Sequence, residues 1–153
     1  MRWRKVLIAV TAVFVAIQFI QPAKNKSEQV LSTDITKIYS VPNSVQSILK
    51  TSCYDCHSNN SHYPWYFNIQ PAAWLMANHI KEGKADLNFS DFGSYSQHHQ
   101  RSKLKTIADQ VNDDEMPIWS YTLIHKNTIL SKQQKETIAN WATNTKDSLE
   151  QNR

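Results

Sequence analysis

The two cysteines of this 153-residue chain lie three positions apart, with a histidine directly after them, in Cys53-Tyr54-Asp55-Cys56-His57. Three chemistries use such a grouping: a redox dithiol, half of a zinc site, and an attachment point for covalent haem. A thioredoxin-type C-x-x-C follows a strand and opens a helix, whose N-terminus lowers the thiol pKa. Here the apolar spacing places the motif at the end of a helix, in a sequence with little β pattern. A structural zinc site takes four Cys or His ligands, commonly in two pairs. Cys53, Cys56, His57 and His62 make a set of four, but the adjacent Cys56 and His57 suit one small tetrahedral ion poorly. Covalent haem uses all three motif residues. Two thiols three apart each add across one haem vinyl group, and the histidine that follows is set under the iron as proximal ligand.

A six-coordinate electron-transfer haem takes a second axial ligand, and methionine raises the potential relative to histidine. The candidates are Met76, Met116, His62, His79, His98, His99 and His125. Met116 is selected because it precedes Pro117 in the loop segment DDEMPIW, whereas a helix methionine such as Met76 is more often core filler. His125 is the reserve distal ligand. His62 and His79 are read as hydrogen-bonding groups, and the pair His98-His99 as solvated. Tyr63, Trp65, Tyr66, Trp74 and Trp119 are either walls of a haem pocket or ordinary core. Arg101, Lys103 and Lys105 either pair with haem propionates or form a solvated helix face.

These residues need a scaffold and a compartment. At the start, Arg2, Arg4 and Lys5 precede an apolar run from Val6 to Ile20 interrupted only by Thr11 and Gln18. That pattern is an export signal or a membrane anchor. Fifteen residues at 1.5 Å rise span about 22 Å, short of the ~30 Å hydrocarbon core. No small-x-small cleavage pattern follows in Gln21-Pro22-Ala23-Lys24, so residues 1–23 are read as an uncleaved anchor, with a cleaved signal peptide as the alternative. The basic N-terminal flank predicts that the folded part lies across the membrane, on the periplasmic side. That location suits c-type attachment, which takes place outside the cytoplasm.

Three of the seventeen basic residues lie in this leader, leaving fourteen against thirteen acidic ones, so the domain carries no nucleic-acid footprint. Residues 24–40 read as a polar tether, 41–145 as the domain and 146–153 as a polar tail. With two glycines and few alternating runs, the domain is expected to be all-α. Asn43 caps a first helix with Val45, Ile48 and Leu49 on one face, ending near Cys53. Pro71 opens a second through Trp74, Ala77 and Ile80, with Gly83 as its stop. A third starts near Ser96 and carries Leu104, Ile107, Ala108 and Val111; a fourth starts at Ser131 and carries Ile138, Trp141 and Ala142. About a hundred residues of short helices and long loops make a thin core, which a large apolar cofactor would complete.

The order helix, C-x-x-C-H, a loop "MP" roughly sixty residues later, and a last helix LSKQQKETIANWA resembles the class I cytochrome c plan. More closely, VPNSVQSILKTSCYDCHSNNSHYPWY, IQPAAWLMANHIKEGKADLNFSDF and EMPIWSYTLIH together resemble the small exported haem-binding domain family, over about Val41 to Trp141. The resemblance implies a cytochrome-c-like fold with one haem c on Cys53, Cys56 and His57. The expectation is a monohaem cytochrome that passes single electrons between redox partner proteins in or near the membrane, with Met116 as sixth ligand. The alternative is a five-coordinate haem enzyme of peroxidase type, or a gas or redox sensor module.

Overall fold

Apolar spacing and capping residues divide the chain into helices joined by turns and by longer loops, such as those over 18–34 and 58–71. The computed structural model describes residues 2–151. In order these are α1 (Arg2–Ile17), α2 (Ile35–Ile38), α3 (Asn43–Ser52), α4 (Tyr54–His57), α5 (Ala72–Asp86), α6 (Gln97–Asn112), α7 (Trp119–Ile124) and α8 (Lys132–Gln151). No strand occurs among the described residues; a single bridge pairs Lys26 with Asn60. The all-α expectation holds.

The caps explain where the long helices begin. Ser96 Oγ accepts the His99 backbone N–H at 3.3 Å and starts α6. At α8, Gln134 N–H donates to Ser131 Oγ at 3.2 Å, while Gln134 Oε1 accepts the Ser131 N–H at 2.9 Å. This reciprocal pair satisfies two donors that a helix start otherwise leaves unbonded. At α3 the cap position is Pro42 rather than Asn43, a shift of one residue.

Helices α6 and α8 pack face to face. Leu104, Ile107, Ala108 and Val111 of α6 and Ile138, Ala139, Trp141 and Ala142 of α8 are buried in one cluster with Val45, Ile48 and Leu49 of α3. Full burial of each large side chain contributes about 1.5–3 kcal/mol before entropy is counted. Phe89 and Phe92, from the 3-10 turn Phe89–Ser94, extend this core toward α4 and α5.

Three boundaries differ from expectation. The stretch 24–40 packs on the domain instead of tethering it: Ile35 is fully buried in the core, and Asp34 caps α2 by accepting the Thr36 N–H at 2.9 Å. The residues 146–151 continue α8, with Leu149 against the core; 152–153 lie outside the described residues. Gly83 lies inside α5, three residues before its end, and is not its stop. The N-terminal α1 has no buried residue, and no helix among the described residues is long and apolar enough to cross a membrane.

Candidate cofactor site

The Cys-x-x-Cys-His motif is held at the junction of two helices. Cys53 closes α3, its N–H donating to Leu49 O at 2.9 Å. The chain then makes one further turn, α4, in which the Cys56 and His57 N–H groups both reach Cys53 O, at 3.2 and 3.0 Å. The three side chains thus issue from a single turn of backbone.

Helix α5 crosses this turn at Gly83. A Cβ at that position would stand 2.9 Å from Cys56 O and 3.2 Å from Cys56 Cβ, so only glycine permits the approach. The approach brings His57 Nδ1 to 2.9 Å from Gly83 O and 3.0 Å from Leu87 O. Both partners are acceptors, so Nδ1 is the donor, and in the neutral ring Nε2 is then the nitrogen with the free lone pair. Such a second partner is what orients a metal-binding histidine. Phe89 supports the ring edge-on, with centroids 6.2 Å apart.

Met116 is positioned from the other side of the core. Helix α6 ends at Asp113, and Asp114 takes a left-handed conformation with φ of 62°. The N–H groups of Glu115 and Met116 then return to Gln110 O, at 3.0 and 3.2 Å. The first of these is the six-to-one bond of a Schellman turn. Lys135 of α8 pairs with the Asp114 carboxylate and holds the turn between the two helices.

Between these supports lies a cavity of about 280 Å³. Cys53, Cys56, His57 and Met116 all line it, and most of the remaining wall is apolar, including Leu49, Phe89, Ile107, Val111 and Ile138. His79, Glu82, Asp86 and Gln110, with Ser52 and Tyr121, form its polar share. The structure therefore brings all four predicted site residues to one space.

The thiols are poor nucleophiles in this setting. Burial, with the neighbouring Cys56 second, pushes Cys53 up to about 12; burial, with Asp55 second, pushes Cys56 up to about 11. A dithiol oxidoreductase requires the opposite shift. Among the described residues, no three His, Cys, Asp or Glu side chains are grouped to hold a metal ion, so His62 does not complete a zinc set with the motif. The zinc alternative lacks a third and fourth ligand, and burial of the thiols works against the dithiol one.

Several expectations for the surroundings change. None of Tyr63, Trp65, Tyr66, Trp74 and Trp119 lines the cavity. Trp65 and Trp119 are 75% and 77% exposed, while Tyr63 packs on Phe67. The aromatic walls are Phe89 and Tyr121 instead. His125 is not on the cavity; its Nε2 lies 2.6 Å from Tyr66 OH, and its ring stacks on Tyr121. His79, read as a hydrogen-bonding group, does line the cavity. Lys103 and Lys105 pair with Asp86 and Asp109, at 2.7 and 2.5 Å, and Arg101 borders a separate surface hollow.

Asp55, inside the motif, is a structural residue that sequence reasoning passed over. Its Oδ1 accepts the His62 N–H at 2.9 Å and its Oδ2 accepts the Tyr121 hydroxyl at 2.6 Å. It joins the motif to α7, the helix that follows Met116.

A planar apolar cofactor with a central iron needs an apolar slot and an imidazole whose other nitrogen is held, and free thiols beside it are compatible with such a group. Cys53 and Cys56 are free, and the Gly83 contact supplies the fixed imidazole. The residues present fit haem, and the molecule is a haem-binding protein. A family model described as the haem-binding domain matches residues 12–144, and the chain belongs to that family. No curated protein and no solved structure matches the chain.

Proposed function

We propose that the chain is a monohaem c-type cytochrome that carries single electrons at the outer, periplasmic face of the cytoplasmic membrane. The observation that carries this reading is the convergence of Cys53, Cys56, His57 and Met116 on one apolar cavity. Cys53 and Cys56 would hold the haem through thioether bonds to its two vinyl groups, each thiol hydrogen going to the neighbouring vinyl carbon with no net oxidation. Burial, which pushes both thiol pKa values up, favours the protonated thiols in the unloaded chain. Once bound, the haem supplies a one-electron change at iron.

The protein's own groups do the rest. His57 offers Nε2 to the iron while Gly83 O and Leu87 O hold its other nitrogen. Met116 would offer its sulfur as a second iron ligand from a turn clamped between α6 and α8. Apolar side chains make up most of the cavity wall, which would favour electron exchange over chemistry at the metal. The basic start of α1 and its exposed apolar surface support an anchor for the domain near membrane-bound redox partners.

The decisive test is to purify the full chain, denature it, and measure retained haem by haem stain and intact mass. One haem that stays bound is expected; its complete release sinks the covalent reading.

One observation favours a second reading, an open-iron enzyme or sensor. His79 and Glu82, one turn apart on α5, both line the cavity and form the kind of acid–base pair that peroxide chemistry uses. Rapid carbon monoxide binding by the unaltered ferrous protein would select this reading over the electron carrier.

A further inference from the structure

The end of the apolar leader is bolted to the haem-binding domain. Gln70 is fully buried, and its backbone N–H donates to Gln18 Oε1 at 2.9 Å while its side-chain Nε2 donates to Ile20 O at 2.8 Å. Trp74 Nε1 donates to the same Ile20 oxygen at 3.0 Å. Gln21 Nε2 reaches Asn68 O at 3.5 Å. A buried amide satisfied in this way is costly to open, so the leader leaves the domain in one direction rather than on a loose tether.

Around this bolt the domain exposes large apolar side chains. Trp65 is 75% exposed, Ile69 42%, Trp74 38% and Leu75 58%, and the leader adds Phe19 at 84% and Ile20 at 62%. Single exposed apolar residues are ordinary on a soluble surface, but here Trp74 is bonded to Ile20, Ile69 and Leu75 flank that bond in the chain, Trp65 opens the turn whose Asn68 meets Gln21, and α1 beyond them has no buried residue. Tryptophan with aliphatic neighbours at the end of an apolar helix is the composition of the membrane–water interface. Lys24 and Lys26 follow directly in the chain, and ammonium groups there suit anionic headgroups.

We infer that the face formed by Phe19, Ile20, Trp65, Ile69, Trp74 and Leu75 rests in the headgroup–acyl boundary of a lipid bilayer. The inference rests on the reading that α1 lies in that bilayer. It adds a fixed docking face to the anchor, so that the cavity is held at one orientation and height above the lipid. Helix α5 sets the height: Trp74 is at the lipid end and Gly83, beneath His57, is nine residues further, about 14 Å along the axis. The docking also bears on the leader's length, because a domain seated in the boundary lets a short helix reach further across the hydrocarbon.

The test uses the full chain with its haem, reconstituted in vesicles of phosphatidylethanolamine and phosphatidylglycerol. The vesicles carry a phospholipid with a diazirine high on its acyl chain. After illumination and digestion, mass spectrometry should find lipid adducts on the peptide 2–20 and on the peptide 64–76. The double variant Trp65→Ser, Leu75→Ser should keep the adducts on 2–20 and lose those on 64–76 by at least about fivefold, with an unchanged haem spectrum as the control for folding. Adducts on 2–20 with none on 64–76 overturn the docking face and leave the anchor standing. Absence of adducts on both overturns the anchor and the docking face together. Crosslinks from 64–76 to a second copy of the chain, in place of lipid, assign the face to self-association and also overturn the inference.

Discussion

His57 Nδ1 lies 2.9 Å from the carbonyl oxygen of Gly83, and that contact exists because residue 83 has no side chain. Alanine would gain up to about 1 kcal/mol of helix propensity inside α5. Against this, its Cβ would meet Cys56 O at 2.9 Å, a backbone atom with little freedom to retreat, and overpacking of this kind costs about 1–3 kcal/mol. Gly83→Ala should therefore destabilise the haem-loaded protein by about 1–2 kcal/mol in denaturant titration. It should also broaden the haem absorption spectrum as the His57 hydrogen bond loosens. A neutral or stabilising result would mean that α5 shifts freely along α4.

If the proposed cytochrome reading holds, Met116→Ala should leave haem attached, because Cys53 and Cys56 would hold it, but should abolish the long-wavelength Met-to-iron band of the ferric protein. Carbon monoxide should then bind rapidly to the ferrous form. Met76→Leu, on the helix α5 and away from the Gln110 turn, should change neither.

The thiols give the unloaded chain an alkaline weakness. Both have folded-state pKa values raised above the ordinary 9.0, chiefly by burial. Their share of stability is fully present below pH 9 and is lost as pH climbs through their folded values of about 12 and about 11. By pH 10 each thiol has forfeited about 1 kcal/mol. Urea midpoints of the unloaded protein should fall from about pH 9 upward. The double variant Cys53→Ala, Cys56→Ala and the haem-loaded protein should both lack this limb. What remains in them belongs to Tyr54 and Tyr121, with Tyr39 and Tyr66 beside them, all raised chiefly by burial, and starts nearer pH 10.

Asp55 should prove structural rather than redox-active. Asp55→Asn weakens acceptance from the His62 N–H and the Tyr121 hydroxyl, and a loss of about 1.5–3 kcal/mol is expected in thermal unfolding. Tyr121→Phe should cost about 1 kcal/mol, and the double variant less than the sum of the two, since they share one bond. Strict additivity would mean that the Asp55–Tyr121 contact carries no energy.

What the sequence discloses here is local. The caps at Ser96 and Ser131, the buried faces of α6 and α8, and the spacing of the motif are all patterns within one turn or one helix. What it conceals depends on distant partners. Gly83 reads as a helix stop because glycine usually is one; its use as a crossing point for Cys56 lies in tertiary structure. Ile35 sits among polar neighbours, so its burial under Phe89 and Phe92 leaves no periodic trace. The tryptophans misled because the same residue suits a pocket, a core and a lipid boundary, and only exposure separates the three. Asp55 was overlooked because the x positions of C-x-x-C-H ordinarily face away from the chemistry.

The turn that carries Met116 also makes the site a gauge of the fold. Gln110 O holds the methionine's backbone to α6, and Lys135 grips Asp114 from α8, so the loop spans the seam of the main helix pair. With Met116 on the iron, a slip between α6 and α8 would pull on the sulfur before it exposed the core. Colour would then report loosening earlier than circular dichroism does, and a partner that pressed those helices together or apart would tune the redox potential without touching the haem.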